Sequence, residues 1–412
     1  MDRVGVVIVG SGQGGAQVAA SLRDEGYLEP ILLVGEEQEL PYQRPPLSKG
    51  YLTGKTPTQE LALRSEGFYS SRAISLLIGQ RGLRIDRAAN QLVLESGRTV
   101  GYEHLVLATG ARPRSLVVPG AELENVMSLR TYTDALAIHD RLQTARNVVV
   151  VGAGFIGLEV AVVANAMGRD VHVIEFADRA LKRAVSREVG GFLVEALARR
   201  GAKFSFSTGI SSLIGHNGKV AAILTSAGTT IAADLVVVGV GVQPNAELAS
   251  EAGLKVDEGI VVDAQLRTSD PLISAIGDCA RFPANFCSNL VRLESVQNAV
   301  DQARFVAMRL TKKIAADVKY DKLPWFWSDQ GEYRLQIAGV CSSDDDVVIR
   351  GDISKGKFSV LRFRGESLTA VESINSAADH MAARKLLAEG ASVSRSLAAD
   401  ASQKLSTIVH TS

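Results

Sequence analysis

Short, uninterrupted apolar runs punctuate most of the chain, at Val6–Val9, Ile31–Val34, Leu105–Ala108, Val148–Val151, His172–Ile174 and Leu235–Val238. They are separated by stretches of helical periodicity. Runs that do not alternate with polar residues predict strands covered on both faces, hence parallel sheets with crossover helices. After about Pro324 the pattern changes. Tyr333–Val340, Val347–Arg350, Phe358–Arg364 and Thr369–Ile374 alternate apolar and polar positions between charged turns, and an Ala-rich stretch near Ala377–Leu387 has helical character. This predicts an antiparallel α+β domain after the α/β part. From Glu389 onward the Ser/Ala-rich composition predicts a loosely packed end, with room for a short helix over Leu397–Ile408.

The 412 residues call for two or three domains. Lys+Arg and Asp+Glu each number 45, and this net charge of +0 argues against the broad basic field of a nucleic-acid binder. Apolar runs stay far below the roughly 18 residues of a membrane span. The start, Met1-Asp2-Arg3, does not read as a secretory signal, so the cytoplasm is the expected location. Cys279, Cys287 and Cys341 form no C-x-x-C pair, and the six histidines are too scattered for a short-spaced ligand set; no metal is expected.

An internal repeat carries the chemistry. Val6-Val7-Ile8-Val9-Gly10-Ser11-Gly12-Gln13-Gly14-Gly15 recurs as Val148-Val149-Val150-Val151-Gly152-Ala153-Gly154-Phe155-Ile156-Gly157. In a strand–turn–helix with G-x-G-x-x-G, the first glycine makes the tight turn, the second admits a pyrophosphate and the third packs helix on strand. Gly10, Gly12 and Gly15 fill these places in the first copy, and Gly152, Gly154 and Gly157 in the second. Each following strand closes near an acid, Glu36 or Glu175, placed to grip an adenosine ribose. A carboxylate there repels a 2′-phosphate, so Glu175 favours NADH over NADPH, with Arg179 nearby as the opposing influence. Two dinucleotide sites yield chemistry when their ligands differ, and FAD with NADH is that arrangement.

Further segments resemble a known family. Leu105-Val106-Leu107-Ala108-Thr109-Gly110-Ala111-Arg112-Pro113 resembles the A-T-G segment of two-dinucleotide flavoproteins, and Thr268–Asp278 resembles their second flavin motif, with Ser274 where many members carry an aromatic residue. Pro41–Lys49 and Pro324–Gln330 are similar to one branch: putidaredoxin reductase, rubredoxin reductase and the ferredoxin reductases of aromatic-ring dioxygenases. The resemblance implies two Rossmann-like dinucleotide-binding domains, glutathione-reductase-like, plus the C-terminal α+β domain. An FAD domain would comprise residues 1–113 and 246–324, an NADH domain 114–245, and the C-terminal domain 325–412. It implies flavin contacts at Gly12, Gly14, Glu36, Arg44, Lys49, Gly82, Thr109, Gly110, Arg130, Gly277, Asp278 and Val296, and an aromatic wall from Trp325 and Trp327. Without it, Arg130 reads as a surface arginine and the tryptophans as core residues.

The resemblance also sets Lys49 beside the flavin with Glu159 as its partner. Taken alone, Glu159 is an acid in the first turn of its helix, favoured by the dipole. Residues 37–60 lack the redox cysteine of related disulfide reductases and peroxidases. Electrons must therefore leave to an external carrier, and the resemblance implies a [2Fe–2S] ferredoxin or rubredoxin. Arg304 would dock it, with Lys312 on the same face of a helix spanning Asp301–Lys313, and Arg384 and Lys385 flanking. An NADH oxidase producing hydrogen peroxide and a non-enzymatic flavin-binding protein are the alternatives; monomer and homodimer both stay open.

Overall fold

The computed structural model describes residues 3–391 and 393–408, which leaves His410 outside, and of Ser288 it describes the backbone alone. The chain divides into two compact units, one of Met1–Gln43, Thr58–Arg112 and Val242–Lys322, the other of Arg44–Pro57, Pro113–Gly241 and Leu323–Ser412.

The first unit is built on a seven-stranded sheet. Parallel strands run in the order Ile74–Leu77, Ile31–Val34, Arg3–Val9, Thr99–Leu107, with Ile273–Ala275 also parallel to Thr99–Leu107. Gln91–Leu94 and Gly82–Asp86 extend it antiparallel. Val6, Val7, Ile8, Leu33, Leu105, Val106 and Leu107 are all at most 1% exposed, which is why these runs show no alternation. Helices Gln13–Asp24 and Val296–Leu310 pack together against this sheet.

The second unit holds a five-stranded, all-parallel sheet in the order Lys203–Ser205, Asp170–Ile174, Asn147–Val151, Leu235–Val238, Val126–Ser128. Sequence order within it reverses about Asn147–Val151, as around Arg3–Val9 in the first unit, which puts each glycine-rich turn at a switch point of its sheet. The same unit contains an antiparallel sheet ordered Trp325–Gln330, Tyr333–Gly339, Ser367–Ile374, Lys357–Arg364, Asp346–Asp352, covered by helix Ala377–Glu389.

The chain end corrects the expectation of loose packing. Val393, Ala398, Leu405 and Ile408 are each 2% exposed or less and join the core of the antiparallel sheet. No α-helix forms over Leu397–Ile408; turns lead to a single 3-10 turn at Leu405–Thr407. The guanidinium of Arg350, itself 4% exposed, donates to the carbonyls of Ala398, Asp400 and Gln403, satisfying backbone that a helix would have satisfied internally.

Candidate dinucleotide sites and a lysine–glutamate pair

In the first unit Gly10 has φ +110°, and a Cβ there would collide with the Ala108 carbonyl of the A-T-G segment. A Cβ at Gly15 would strike the Gly10 carbonyl. Both glycines are thus demanded by the protein's own packing. Gly12 is different. It has an ordinary φ of −72° and caps helix Gln13–Asp24, and among the described residues nothing lies within 4 Å of where its Cβ would be. The chain's own packing does not require that glycine, and the free N–H groups at the start of the helix suit an anion. This open place fits the pyrophosphate of FAD. Gly14 faces Ile276 and Ala299, so its small size serves the packing of the two helices. Glu36 is exposed just beyond Ile31–Val34, and its neighbour Glu37 accepts a hydrogen bond from Tyr42. Gly82 opens its strand against Val9 and Leu92.

Two partners fix the flanking motifs. Asn245 ties the A-T-G segment: Thr109 Oγ1 donates to its carbonyl at 2.6 Å, its Nδ2 donates to the Thr109 carbonyl at 2.9 Å, and its N–H reaches the Gly110 carbonyl at 2.9 Å. Gly277, at φ +73°, donates its N–H to Gln302 Oε1 at 2.7 Å, which sets the turn carrying Asp278. Neither Asn245 nor Gln302 was singled out in the sequence; a lone amide carries no spacing signal. Val296 opens the helix capped by Ser295, whose Oγ accepts the Asn298 N–H at 3.1 Å. Cys279 is fully buried with a thiol pKa pushed up by that burial, as suits a packing residue.

Ser274 is 0% exposed and bonded to His104 Nε2 at 2.9 Å and Arg309 Nη2 at 2.5 Å. A guanidinium only donates, so the Ser274 oxygen accepts from Arg309 and shares a second hydrogen bond with His104 Nε2. Burial, reinforced by Arg309, lowers the His104 pKa to about 3. His380 is lowered to about 4, again chiefly by burial. Both rings are neutral when folded and take up a proton on unfolding below their ordinary 6.5, so the stability they confer is complete above that pH and is lost as pH falls toward 4 and 3. Each adds at most about 1.4 kcal/mol per pH unit in that window. His104→Gln is expected to flatten the acid limb of a urea-midpoint profile; an unchanged limb would show that His104 does not titrate on unfolding.

The second turn, in the other unit, repeats the first. Gly152 has φ +103°, and a Cβ there would meet the Gly239 carbonyl, as one at Gly157 would meet that of Gly152. A Cβ at Gly154, where φ is −79°, would meet among the described residues only the Gly239 carbonyl, at 4.0 Å. Glu175 reaches back to the turn: its Oε2 accepts the Ala153 N–H and its Oε1 the Ala177 N–H, each at 2.7 Å. Arg179 is spent on backbone carbonyls, donating to Lys182 at 2.9 Å and to Ser186 at 3.3 Å.

Also in this unit, Lys49 Nζ lies 2.8 Å from Glu159 Oε2. Pro45 and Pro46 preset the 3-10 turn Pro45–Ser48, which delivers Ser48 and Lys49 together. Glu159 sits in the second turn of helix Phe155–Ala166, beyond reach of a simple end-of-helix role, and is 5% exposed. Both of its oxygens are served: Ser48 Oγ donates to Oε2 and Ser328 Oγ to Oε1 at 2.5 Å, while Lys49 also donates to the Pro45 carbonyl at 3.2 Å. A carboxylate so enclosed holds an ammonium that is itself only 22% exposed. Ser48 and Ser328 lie inside the segments that carry the family resemblance, but nothing in the sequence marks them as partners of Glu159. Arg44 Nη1 donates to the Arg130 carbonyl at 2.6 Å, joining two more of the expected residues.

Trp325 and Trp327 share one face of their strand, with ring centroids 5.6 Å apart. Arg384 stacks on Trp325 at 4.3 Å, and His380, 1% exposed and with no hydrogen-bond partner for either ring nitrogen among the described residues, lies 6.0 Å from it. Lys385 is exposed. Arg304 is 59% exposed, with Asp301 3.8 Å away. The shared helical face expected for Arg304 and Lys312 does not exist, because the helix ends at Leu310 and Lys312 adopts φ +57°. Among the described residues no cluster of His, Cys, Asp or Glu could hold a metal, and no helix is long and apolar enough to cross a membrane.

Two dinucleotide turns on switch-point strands define an oxidoreductase of the FAD- and NAD-dependent kind. The chain belongs to the pyridine nucleotide-disulphide oxidoreductase family, which residues 4–303 match, and residues 325–409 match the reductase C-terminal family. Rhodocoxin reductase of Rhodococcus erythropolis is 47% identical over 96% of this chain and 92% of that protein. The ferredoxin reductase for the CYP199A2 system from Rhodopseudomonas palustris superposes with a TM-score of 0.95 at 45% identity, covering 98% of this chain and 99% of that one. The reductase of a covalent putidaredoxin reductase–putidaredoxin complex gives 0.94 at 39% identity, covering 99% and 98%.

Proposed function

We propose that this chain is an NADH:ferredoxin reductase of an oxygenase system, and that the pair of glycines with open surroundings, Gly12 and Gly154, carries that reading. FAD held at the first glycine-rich turn would supply the chemistry that links two-electron NADH to a one-electron carrier. The first unit binds FAD through the turn at Gly10, Gly12 and Gly15 and through Asp278. The turn at Gly152, Gly154 and Gly157 binds NADH, and Glu175 selects against a 2′-phosphate. Lys49, held by Glu159, supplies positive charge to the flavin, and Arg44, Arg130, Trp325 and Trp327 serve its binding. The three cysteines are unpaired, which suits a reducing cytoplasm.

The electron acceptor is a [2Fe–2S] ferredoxin or a rubredoxin, because similar proteins are named as reductases of such carriers and because residues 37–60 offer no thiol. Arg304 is the docking residue; Lys385 and Arg384 supply further positive charge, and Lys312 a smaller share. Arg304→Glu is expected to raise the KM for a [2Fe–2S] ferredoxin about threefold to tenfold and to flatten its salt dependence, since steering by a rim charge is screened by ions. Ferricyanide reduction should stay near wild type. Equal losses with both acceptors would remove Arg304 from docking, and faster reduction of a rubredoxin than of any ferredoxin would reassign the partner.

A further inference from the structure

Glu372 is 0% exposed in the antiparallel sheet, yet its carboxylate is spent largely on a residue of the other sheet's crossover. It accepts the Ser186 hydroxyl at 2.6 Å and the Ser186 backbone N–H at 2.9 Å and 3.0 Å, while Arg362 donates at 3.1 Å. Burial outweighs these partners and raises the carboxyl pKa, so the site is costly to maintain. Ser186 in turn caps helix Arg187–Ala198, its Oγ accepting the Val189 N–H at 3.2 Å.

The chain of contacts continues into the turn at Gly152–Gly154. The Ser186 carbonyl accepts from Arg179, and the same guanidinium gathers the carbonyls of Ala180 at 3.4 Å and Lys182 at 2.9 Å. The loop 178–186 is thereby wrapped on its own arginine, and it presents Leu181, at φ +52°, so that its N–H reaches the Ala153 carbonyl at 3.0 Å. Ala153 lies between Gly152 and Gly154, and its own N–H is held by Glu175. Glu175 thus grips the turn through one group of Ala153. Leu181 grips it through the other, from a loop whose far end is fixed to Glu372.

We propose that Glu372, acting through Ser186 and Arg179, is a positioning residue for the pyridine nucleotide, so that the C-terminal sheet sets the affinity of the second glycine-rich turn for NADH. The inference rests on reading that turn as the NADH site. Glu372 touches no reacting atom; it holds the Ala153 peptide, and with it the N–H groups that meet the pyrophosphate, in one orientation. A carboxylate serves better than an amide because it accepts from both Ser186 donors and from Arg362 at once.

The test uses the FAD-loaded protein with ferricyanide as acceptor, varying NADH. Glu372→Gln, Ser186→Ala and Arg179→Met are each expected to raise the KM for NADH about fivefold to tenfold, the loss of one hydrogen bond in the chain, with kcat within about twofold and FAD content unchanged. Ser186→Thr, which keeps the hydroxyl, should retain the wild-type KM. Glu372→Gln combined with Ser186→Ala should be no worse than the poorer single variant, because both break one link. If Glu372→Gln does not fold, Ser186→Ala and Arg179→Met decide. Wild-type saturation by NADH together with an unchanged KM in these variants overturns the positioning role alone. A fall in kcat with KM unchanged also overturns it. A wild-type protein whose rate does not saturate with NADH defeats the reading of the turn, and this inference with it.

Discussion

Gly154→Val is expected to give a folded, yellow protein that NADH no longer reduces. The backbone at Gly154 lies in a region open to any residue, and the Gly239 carbonyl at 4.0 Å leaves room for a side chain, so the fold has no reason to fail. The valine would occupy the space the pyrophosphate needs, and kcat/KM for NADH should fall by at least about a hundredfold, as displacement of a bound substrate by an ångström already does. FAD absorbance should be retained, because Gly12 belongs to a different turn. Gly12→Val reverses the outcome, giving folded protein without colour. Gly157→Val, by contrast, drives a side chain into the Gly152 carbonyl and should damage the fold itself. If Gly154→Val were reduced normally, the second turn would not be where NADH binds.

Glu159→Leu should carry the second large effect, slowing flavin reduction by on the order of a hundredfold, the usual loss when one preorganised electrostatic group is removed. It strands the Lys49 ammonium and takes the acceptor from Ser48 and Ser328, so stability should fall by about 1–3 kcal/mol, less than for a fully buried pair because Lys49 keeps some contact with solvent. Lys49→Met with Glu159→Leu removes both charges. That double variant should regain most of the lost stability while flavin reduction stays slow. Recovery of both together would reduce the pair to a structural one, and stopped-flow reduction alongside urea unfolding separates the cases.

Local signals were legible in the sequence. Ile31–Val34 and Leu235–Val238 form strands at the residues where their apolar runs lie, and the two glycine turns follow strands and open helices because both the period and the glycine spacing are short-range. Long-range partnerships were not. Ser48 meets Glu159 across 111 residues and Ser186 meets Glu372 across 186, and no local spacing encodes either. Ser274 looked like a departure from an aromatic position, whereas it is the centre of a buried polar trio whose other members come from distant segments. The helix expected over Asp301–Lys313 ends at Leu310, and Lys312, at φ +57°, lies beyond it. At the chain end, composition suggested looseness because the buried Arg350 that satisfies its carbonyls lies outside the segment itself.

The most direct measurement mixes the FAD-loaded protein with NADH under anaerobic conditions and follows, in parallel, a panel of [2Fe–2S] ferredoxins and a rubredoxin. The account predicts rapid, catalytic reduction of at least one ferredoxin, slower reduction with NADPH, and little NADH consumption in air when no carrier is present. Carriers that all stay oxidised, while NADH is consumed in air at the same rate with or without them and hydrogen peroxide accumulates, would contradict it.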